Sequence, residues 1–430
     1  DTDTDTDTDT DTDTDTDTDP DPADVDDDGD GFTENQGDCN DADMSINPGA
    51  YDSCVDSADT NCNGTGFDQA TTGGLSYALL SDAAQALTDG ATLEICGTVP
   101  DALVIDGVDN VAVVPTAGTT SGISGGTSVQ NAQDITFQDL ALSQSGGAAL
   151  TVTNAGVDVT GATMSSSTSG LVADGSTVSL TNVAIDGSSG RGIRVSNTAL
   201  ALTDVDITNS ANGGMRADTG SFVNFSGLVQ FVSNTTSSDG GGIRLVGGSQ
   251  LVANGPVVFE TNSAARGGAI FAQGSTTSVS LLQTGSPHSF ERNEATSTSA
   301  GDGGGAIALD GGTLMVVDAT FDGNTAAQDG GALLIGGGTS TVVDLIAVEA
   351  TGNFAAARGG AVLVRDGAGV TVEDSVFTGA TSVTSQGGLV SMVGDTSSSF
   401  TAARSDFQFG FANEGGGFHL NASSGSTGHT

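Results

Sequence analysis

The sequence predicts an all-β fold. Specifically, it predicts a right-handed, single-stranded parallel β-helix (a solenoid), with a short N-terminal capping helix and a small disulfide-linked acidic module. Three observations carry the prediction. First, four stretches align residue for residue: Ile135 to Leu142 (ITFQDLAL), Val157 to Met164 (VDVTGATM), Val178 to Ile185 (VSLTNVAI) and Leu200 to Ile207 (LALTDVDI). Their starts are 22, 21 and 22 residues apart, and Phe222 opens a fifth copy 22 further on. Second, another apolar series, Leu150, Leu171, Ile193 and Met215, keeps the same step. A fixed period with several short strands in it is the signature of a coil repeated along an axis. Third, 65 of the 430 residues are Gly, none is Trp and only 4% are aromatic, which suits thin internal columns of small aliphatic side chains better than one large core. A sandwich of short antiparallel strands would give turn signals too, but not like residues in constant register.

Within each repeat, apolar residues alternate with polar ones, as a strand with one buried face requires. The alternation breaks at Gln138-Asp139, Thr160-Gly161, Thr181-Asn182 and Thr203-Asp204. Asp, Asn and Gly tolerate tight bends, so a corner is predicted at the same point of every coil.

Ahead of the coils the chain changes character. An Asp-Thr repeat runs through Asp19, followed by Pro20, Asp21 and Pro22. It has nothing to bury and its carboxylates repel one another, so residues 1–23 read as an extended, disordered spacer. The sequence begins with Asp and contains no signal peptide or transmembrane run, the pattern expected of a processed or trimmed form. Many exported bacterial lipoproteins carry such a spacer after an acylated cysteine, which makes lipid anchoring upstream of Asp1 an expectation.

The whole chain has 55 acidic residues against 9 basic ones, all Arg, for a net charge of −46. Nucleic acid and anionic membrane surfaces are therefore excluded as expected partners, because both need cations to neutralise phosphate. Close to half of the acid precedes Asp68.

Residues 24–70 hold the strongest chemical signal. Asp26, Asp28 and Asp30, with Gly31 next, place three oxygen ligands on alternate residues before a sharp turn, like the first half of an EF-hand calcium loop. The Phe32 carbonyl is then the next ligand. Position 12 would be Gly37 rather than a bidentate Glu, so Asp38 or Asp41 is expected to complete the site, with Asp24 and Asp43 as further acidic candidates. A second run, Asp59, Asn61 and Asn63 before Gly64, repeats the spacing, with Asp68 downstream. The all-oxygen set favours Ca²⁺ over copper or zinc, which prefer His or thiolate.

This segment resembles the metal-binding repeat of MopE-type bacterial surface proteins, through Asp26 to Gly31, Gly37 to Ala50 (GDCNDADMSINPGA), Cys54 and Asp59 to Gly64. Tyr51-Asp52-Ser53 stands where that family often has a Glu. The resemblance implies metal binding outside the cell.

Cys39, Cys54, Cys62 and Cys96 fit two disulfides in an oxidising compartment, with three pairings open. One bridge is expected to tie the module to the entrance of the coils, where Cys96 lies.

Residues 71–91 are read as a cap. Leu75, Ala78, Leu79, Ala83, Ala86 and Leu87 fall at helical spacing over 75–88 and Gly90 is a stop signal. A solenoid needs its terminal coil covered.

The coils occupy 92–420. After Phe222 the step lengthens, and FVSN (231–234), FETN (259–262), FERN (290–293) and FDGN (321–324) alternate with glycine runs such as GGAIFA (267–272), GGALLI (330–335) and GGAVLV (359–364). These motifs resemble the FxxN and GGA[I/L/V] repeats of the polymorphic outer membrane proteins, surface adhesins with β-helical passenger domains. Physically, Phe begins a buried strand, Asn serves a corner and paired Gly permits a tight turn. Residues 421–430 read as a small polar tail, and no membrane insertion by this chain is expected.

Catalysis is the weaker expectation. Arg191, Arg194, Arg216 and Arg244 fall on nearby coils, but no paired-carboxylate motif accompanies them, and His288, His419 and His429 are isolated. The chain therefore reads as an exported, cell-surface, Ca²⁺-stabilised structural or adhesive scaffold. The alternatives are a carbohydrate-binding module, a subunit of an extracellular filament and, last, a polysaccharide lyase or hydrolase. The expected partners are surface glycans, other cell-surface proteins, or further copies stacked end to end.

Overall fold

The computed structural model describes residues 22–52, 58–166, 168–282, 285–394 and 397–422. It divides into two compact units. The smaller draws on Asp1–Asp68 and Gly74–Ala78, the larger on Gln69–Gly73 and Leu79–Thr430.

The larger unit is built from parallel strands, and its repeat is the one written in the sequence. Ile135–Gln138, Leu140–Gln144 and Ala148–Thr153 form one coil. Gly156–Thr160, Thr163–Ser166 and Ser169–Asp174 stack on them in the same order, each parallel to its counterpart. The aligned residues become columns. Ile135 pairs with Val157, Val157 with Val178, Val178 with Leu200 and Leu200 with Val223. The fifth copy thus opens at Val223 and not at Phe222, which pairs with Ala199 and is exposed on the outer face. The second series forms another: Leu150, Leu171, Ile193, Met215 and Ile243. All of these side chains are buried. Stacking of this kind satisfies each backbone group from the coil above or below, so stability accumulates coil by coil.

The predicted corners are present as left-handed residues: Asp139, Gly161, Asn182 and Asp204 have φ of 52, 65, 54 and 54°. These are the second residues of the four predicted pairs. Asp and Asn reach this region at lower cost than other side chains because their short polar groups bond locally.

Beyond residue 222 the coils enlarge and a third small parallel sheet appears, made of two-residue strands such as Ser263–Ala264, Glu294–Ala295 and Thr325–Ala326. Two internal columns mark this region. Phe231, Phe259, Phe290 and Phe321 stack with ring centroids 5.1, 5.0 and 4.4 Å apart. Beside them Asn234, Asn262, Asn293, Asn324 and Asn353 form a buried ladder. The Asn262 amide donates to Phe231 O and to Asn293 Oδ1, while its own Oδ1 accepts from the backbone N and the Nδ2 of Asn234. All four bonds of a buried amide are thus made, which removes the penalty of placing it in an apolar interior.

The glycine runs serve close approach between coils. Gly330 is left-handed (φ 62°), and a Cβ on Gly331 would lie 2.0 Å from Gly360 O on the next coil.

The predicted cap differs in extent. The helix covers only Leu80–Gln85, not 75–88, and Leu75–Tyr77 is a strand. Gly73 and Gly74 are both left-handed and turn the chain into that strand, which leaves helical geometry to begin at Leu80. Leu80 and Ala83 are buried, and Ser81, Ala84 and Gln85 line a shallow cavity with Val104 and Ile105 of Leu103–Asp106. That strand is the last of its sheet, so the helix covers an edge. At the other end the last strand is Phe418–Ala422, running past the expected start of the tail at 421. Residues 423–430 and most of the predicted spacer (1–21) lie outside the described residues; Pro22–Asp24 forms a 3₁₀ turn.

Candidate metal centre

The smaller unit contains almost no regular secondary structure, and its polar turns do the folding. Asp26 accepts from the backbone N of Gly29 at 2.7 Å and of Gly31 at 3.0 Å, which winds the loop around its carboxylate. Asp28 Oδ1 accepts from Asp30 N and Asp30 Oδ1 from Phe32 N. Gly29 and Gly31 are left-handed, the conformation that lets alternate carboxylates point to the same side. The 38–41 turn approaches from the other side, with Asp41 Oδ1 accepting from Asp27 N at 3.2 Å and Asp38 Oδ1 from Asn40 N at 2.8 Å.

Two overlapping groups result. Asp26, Asp28 and Asp41 each offer an oxygen within 4.8 Å of one another, and so do Asp28, Asp30 and Asp38. Asp38 and Asp41 are 5% and 7% exposed. The second oxygens of Asp28, Asp30, Asp38 and Asp41 are buried and lack any hydrogen-bond partner. Buried, unpartnered carboxylate oxygens in two groups that share Asp28 are unfavourable unless a cation or protons compensate them. The charge balance registers this. Burial, then the charges of Asp30, Asp38 and Asp26, raises the Asp28 pKa, and burial followed by Glu34 pushes Asp41 up to about 6. Each group of three carboxylates offers the hard oxygen donors that a divalent cation takes.

The other candidates are placed differently. Asp24 accepts from the Asn35 amide. Asp43 accepts from Ser45 N and Oγ, and those bonds lower its pKa. Phe32 supplies its backbone to the loop turn, and its ring lies beside Gly49.

The second run copies the turn but not the cluster. Asp59 accepts from Asn63 N at 3.1 Å and Gly64 N at 2.9 Å, as Asp26 does from its glycines. However, Asn61 and Asn63 turn their amide nitrogens to Asp68, at 2.7 and 2.8 Å. Asp68 is therefore engaged by two amides, and the group is a hydrogen-bonded clasp rather than a ring of free oxygens.

Asp52, which the spacing did not single out, is fully buried beside this clasp. Its Oδ1 accepts from Thr60 N, Thr60 Oγ1 and Asn61 N. Its signal was its position where related motifs carry an acidic residue.

A disulfide between Cys39 and Cys62 joins the 38–41 turn covalently to the second acidic run. The bridge expected between the module and the coils falls on Cys54, outside the described residues.

Comparison with known families returns two matches. Residues 38–66 match the model of the MopE copper-binding family, described as a metal-binding motif. Residues 256–273 and 318–336 match the Chlamydia polymorphic membrane protein repeat. The first covers the 38–41 turn and the whole second run. The second covers two stretches of the FxxN and glycine-run region, each holding a stacked Phe and a glycine turn. Comparisons with curated proteins and with solved structures give no match. Among the described residues, no helix is long and apolar enough to cross a membrane.

Proposed function

We propose that this chain is an exported, cell-surface β-helix scaffold whose N-terminal module binds Ca²⁺. The observation that carries the metal reading is the set of unpartnered oxygens on Asp28, Asp30, Asp38 and Asp41 around a loop already wound by Asp26. The matched family model bears copper in its name, but this module offers Cu²⁺ no imidazole, and Cys39 and Cys62 are held as a disulfide. Oxygen-only donors select a hard cation. The repeat matches support a surface location and an adhesive or structural role for the coils.

Calcium titration by calorimetry, with EDTA reversal and thermal melts, tests the reading. Binding with Kd of about 10⁻⁴ to 10⁻³ M, usual for extracellular modules, and a melting point that rises with Ca²⁺ are expected. No bound ion and an unchanged melt would sink it. Tight Cu²⁺ binding that Ca²⁺ does not displace would overturn the choice of metal.

A second reading, end-to-end self-association, has its own support. The last described coil leaves Phe409, Phe411, Phe418 and Leu420 between 42% and 71% exposed. Exposed apolar side chains on this described coil offer a face against which another copy can pack. Sedimentation that stays monomeric across concentration would remove this reading.

A further inference from the structure

In a chain of net charge −46, five of the nine arginines gather on one face of the larger unit. Parallel pairing puts Arg194, Arg216 and Arg244 in one column on successive coils, with Phe271 next in line. Their flanking residues Ile193, Val195, Met215, Ala217, Ile243 and Leu245 are buried, so alternation turns the three arginines outward. Neighbouring strands lie about 4.8 Å apart, which sets the spacing of the cationic stems.

Arg191, in the turn before Ile193–Ser196, reaches across coils and donates from Nη2 to Ser238 Oγ at 3.3 Å. It is 6% exposed, and its Nη1 has no partner; Arg216 Nε and Arg244 Nε are also buried and unpartnered. Arg266 stacks on the Phe271 ring at 4.6 Å, and Arg244 lies 5.9 Å from the same ring.

The carboxylates nearby pair directly with only two of the five, and Asp239 adds a longer-range attraction to Arg191 and Arg244. Asp218 pairs with Arg216 at 2.8 Å, and Asp239 holds Arg266 through two bonds of 2.9 and 2.8 Å, with Asp302 at 3.9 Å. Among the described residues Arg191, Arg194 and Arg244 have no ion pair. Burial, then the charges of Arg244, Arg216 and Arg194, pushes Arg191 down to about 10. Clustered cations of this kind raise the energy of the free protein, and an anion seated among them lowers it.

A groove of about 290 Å³ runs over the column between Arg194 and Arg216, with Asp174, Ser196 and Asp218 on its walls. Arginines with hydroxyl and carboxylate acceptors between them match a ligand bearing both carboxylates and hydroxyls. We propose that this column binds an acidic polysaccharide, a chain of uronic acid residues lying across successive coils with its carboxylates on Arg194, Arg216 and Arg244, and with the buried Arg191 adding positive charge beneath them. Repetition along the axis favours a polymer over a single anion, and the net charge of the protein disfavours nucleic acid. The site lies in the coils and is independent of the metal centre.

Calorimetric titration of the full chain with polygalacturonate, at low salt and with EDTA to prevent cation bridging, tests the assignment. Saturable binding that weakens with added salt is expected, and so is a loss of about tenfold in each of Arg194→Ala and Arg244→Ala. Arg194→Lys should retain part of the affinity, since it keeps the charge but not the fork. Arg194 is exposed, so an unchanged melting point will show that its variants fold. Absence of binding, or equal binding by the Arg194→Ala/Arg244→Ala double variant, would overturn the proposal. Equal affinity for monomeric galacturonate or for duplex DNA would also overturn it.

Discussion

The side chain of Asn262 donates to Asn293 Oδ1 at 3.0 Å, one coil further along, and both residues are fully buried. Asn293 in turn donates to Phe259 O and to Asn324 Oδ1, and accepts from Asn262 N. Replacing Asn293 with Ala therefore orphans several buried groups at once. At roughly 1–3 kcal/mol for each buried group left unpartnered, with incomplete additivity, a loss of about 3 kcal/mol is expected. Asn353 closes the described ladder: its Oδ1 accepts from Asn324 N and Nδ2 and its amide donates to Phe321 O, one bond fewer than Asn293 makes. Asn353→Ala should therefore cost nearly as much, about 2 kcal/mol or more. Urea unfolding of both variants beside the parent checks this, and a loss below about 1 kcal/mol in Asn293→Ala would show that the ladder contributes little.

This ladder shows where sequence reading reaches its limit. The corners at Asp139, Gly161, Asn182 and Asp204 were legible because a left-handed residue has a local signature. The Asn positions were legible as corners too. Their bonding along the axis was not, because it depends on coils of 28 to 31 residues stacking in register. The metal module divides in the same way. D-x-D-x-D-G and D-x-N-x-N-G look alike on paper, and both fold into the same turn. Nothing local tells that the Asn61 and Asn63 amides face Asp68 with nitrogen, since that depends on a carboxylate arriving from further along the chain. The cap was overextended because helical spacing from Leu75 was read through a segment that the Gly73-Gly74 turn had already committed to a strand.

Glycine substitutions separate backbone freedom from packing. A Cβ on Gly331 meets Gly360 O at 2.0 Å and the backbone of Phe354 at 2.6 Å, whereas nothing lies within 4 Å of one on Gly146. Neither residue has a left-handed φ. Gly331→Ala must push two coils apart, at a cost of about 3 kcal/mol or more. Gly146→Ala should be neutral or slightly stabilising, by about 0.5 kcal/mol, through the unfolded chain. Melting temperatures of the two variants provide the check; a Gly331→Ala protein as stable as the parent would mean that the coils are not in close contact there.

His288 gives the coils a pH dependence. It is fully buried, its Nδ1 accepts from Val257 N at 3.3 Å, and burial pushes its pKa down to about 4. The unfolded chain would titrate this group near 6.5, so between about 6.5 and 4 the unfolded state binds the additional proton. Stability therefore rises with pH across that window and falls on acidification. The loss is on the order of 2 kcal/mol by pH 4 after allowance for screening. Denaturant midpoints of the parent and of His288→Gln, taken at pH 7 and pH 4.5, test this. A pH response of equal size in both proteins would assign the effect to other groups.

The metal module makes the sharpest distinction between its two acidic runs. Asp38 brings a buried, unpartnered oxygen to Asp28 and Asp30, while both oxygens of Asp59 are already occupied by backbone N–H groups. Asp38→Asn should therefore weaken Ca²⁺ binding by about tenfold or more, and Asp59→Asn by no more than about twofold. Protons compete for the same oxygens. Burial, with Glu34 beside it, holds the Asp41 pKa at about 6, so that carboxylate becomes protonated as pH falls from 7 to 5. Ca²⁺ affinity should fall over this interval, and the metal-free module should become relatively more stable, because its folded state then binds more protons than its unfolded state. Calorimetric titration at pH 7 and pH 5 reads both effects. Ca²⁺ affinity that depends on Asp59 rather than Asp38 would move the site to the second run and require Asn61 and Asn63 to turn their amide oxygens inward.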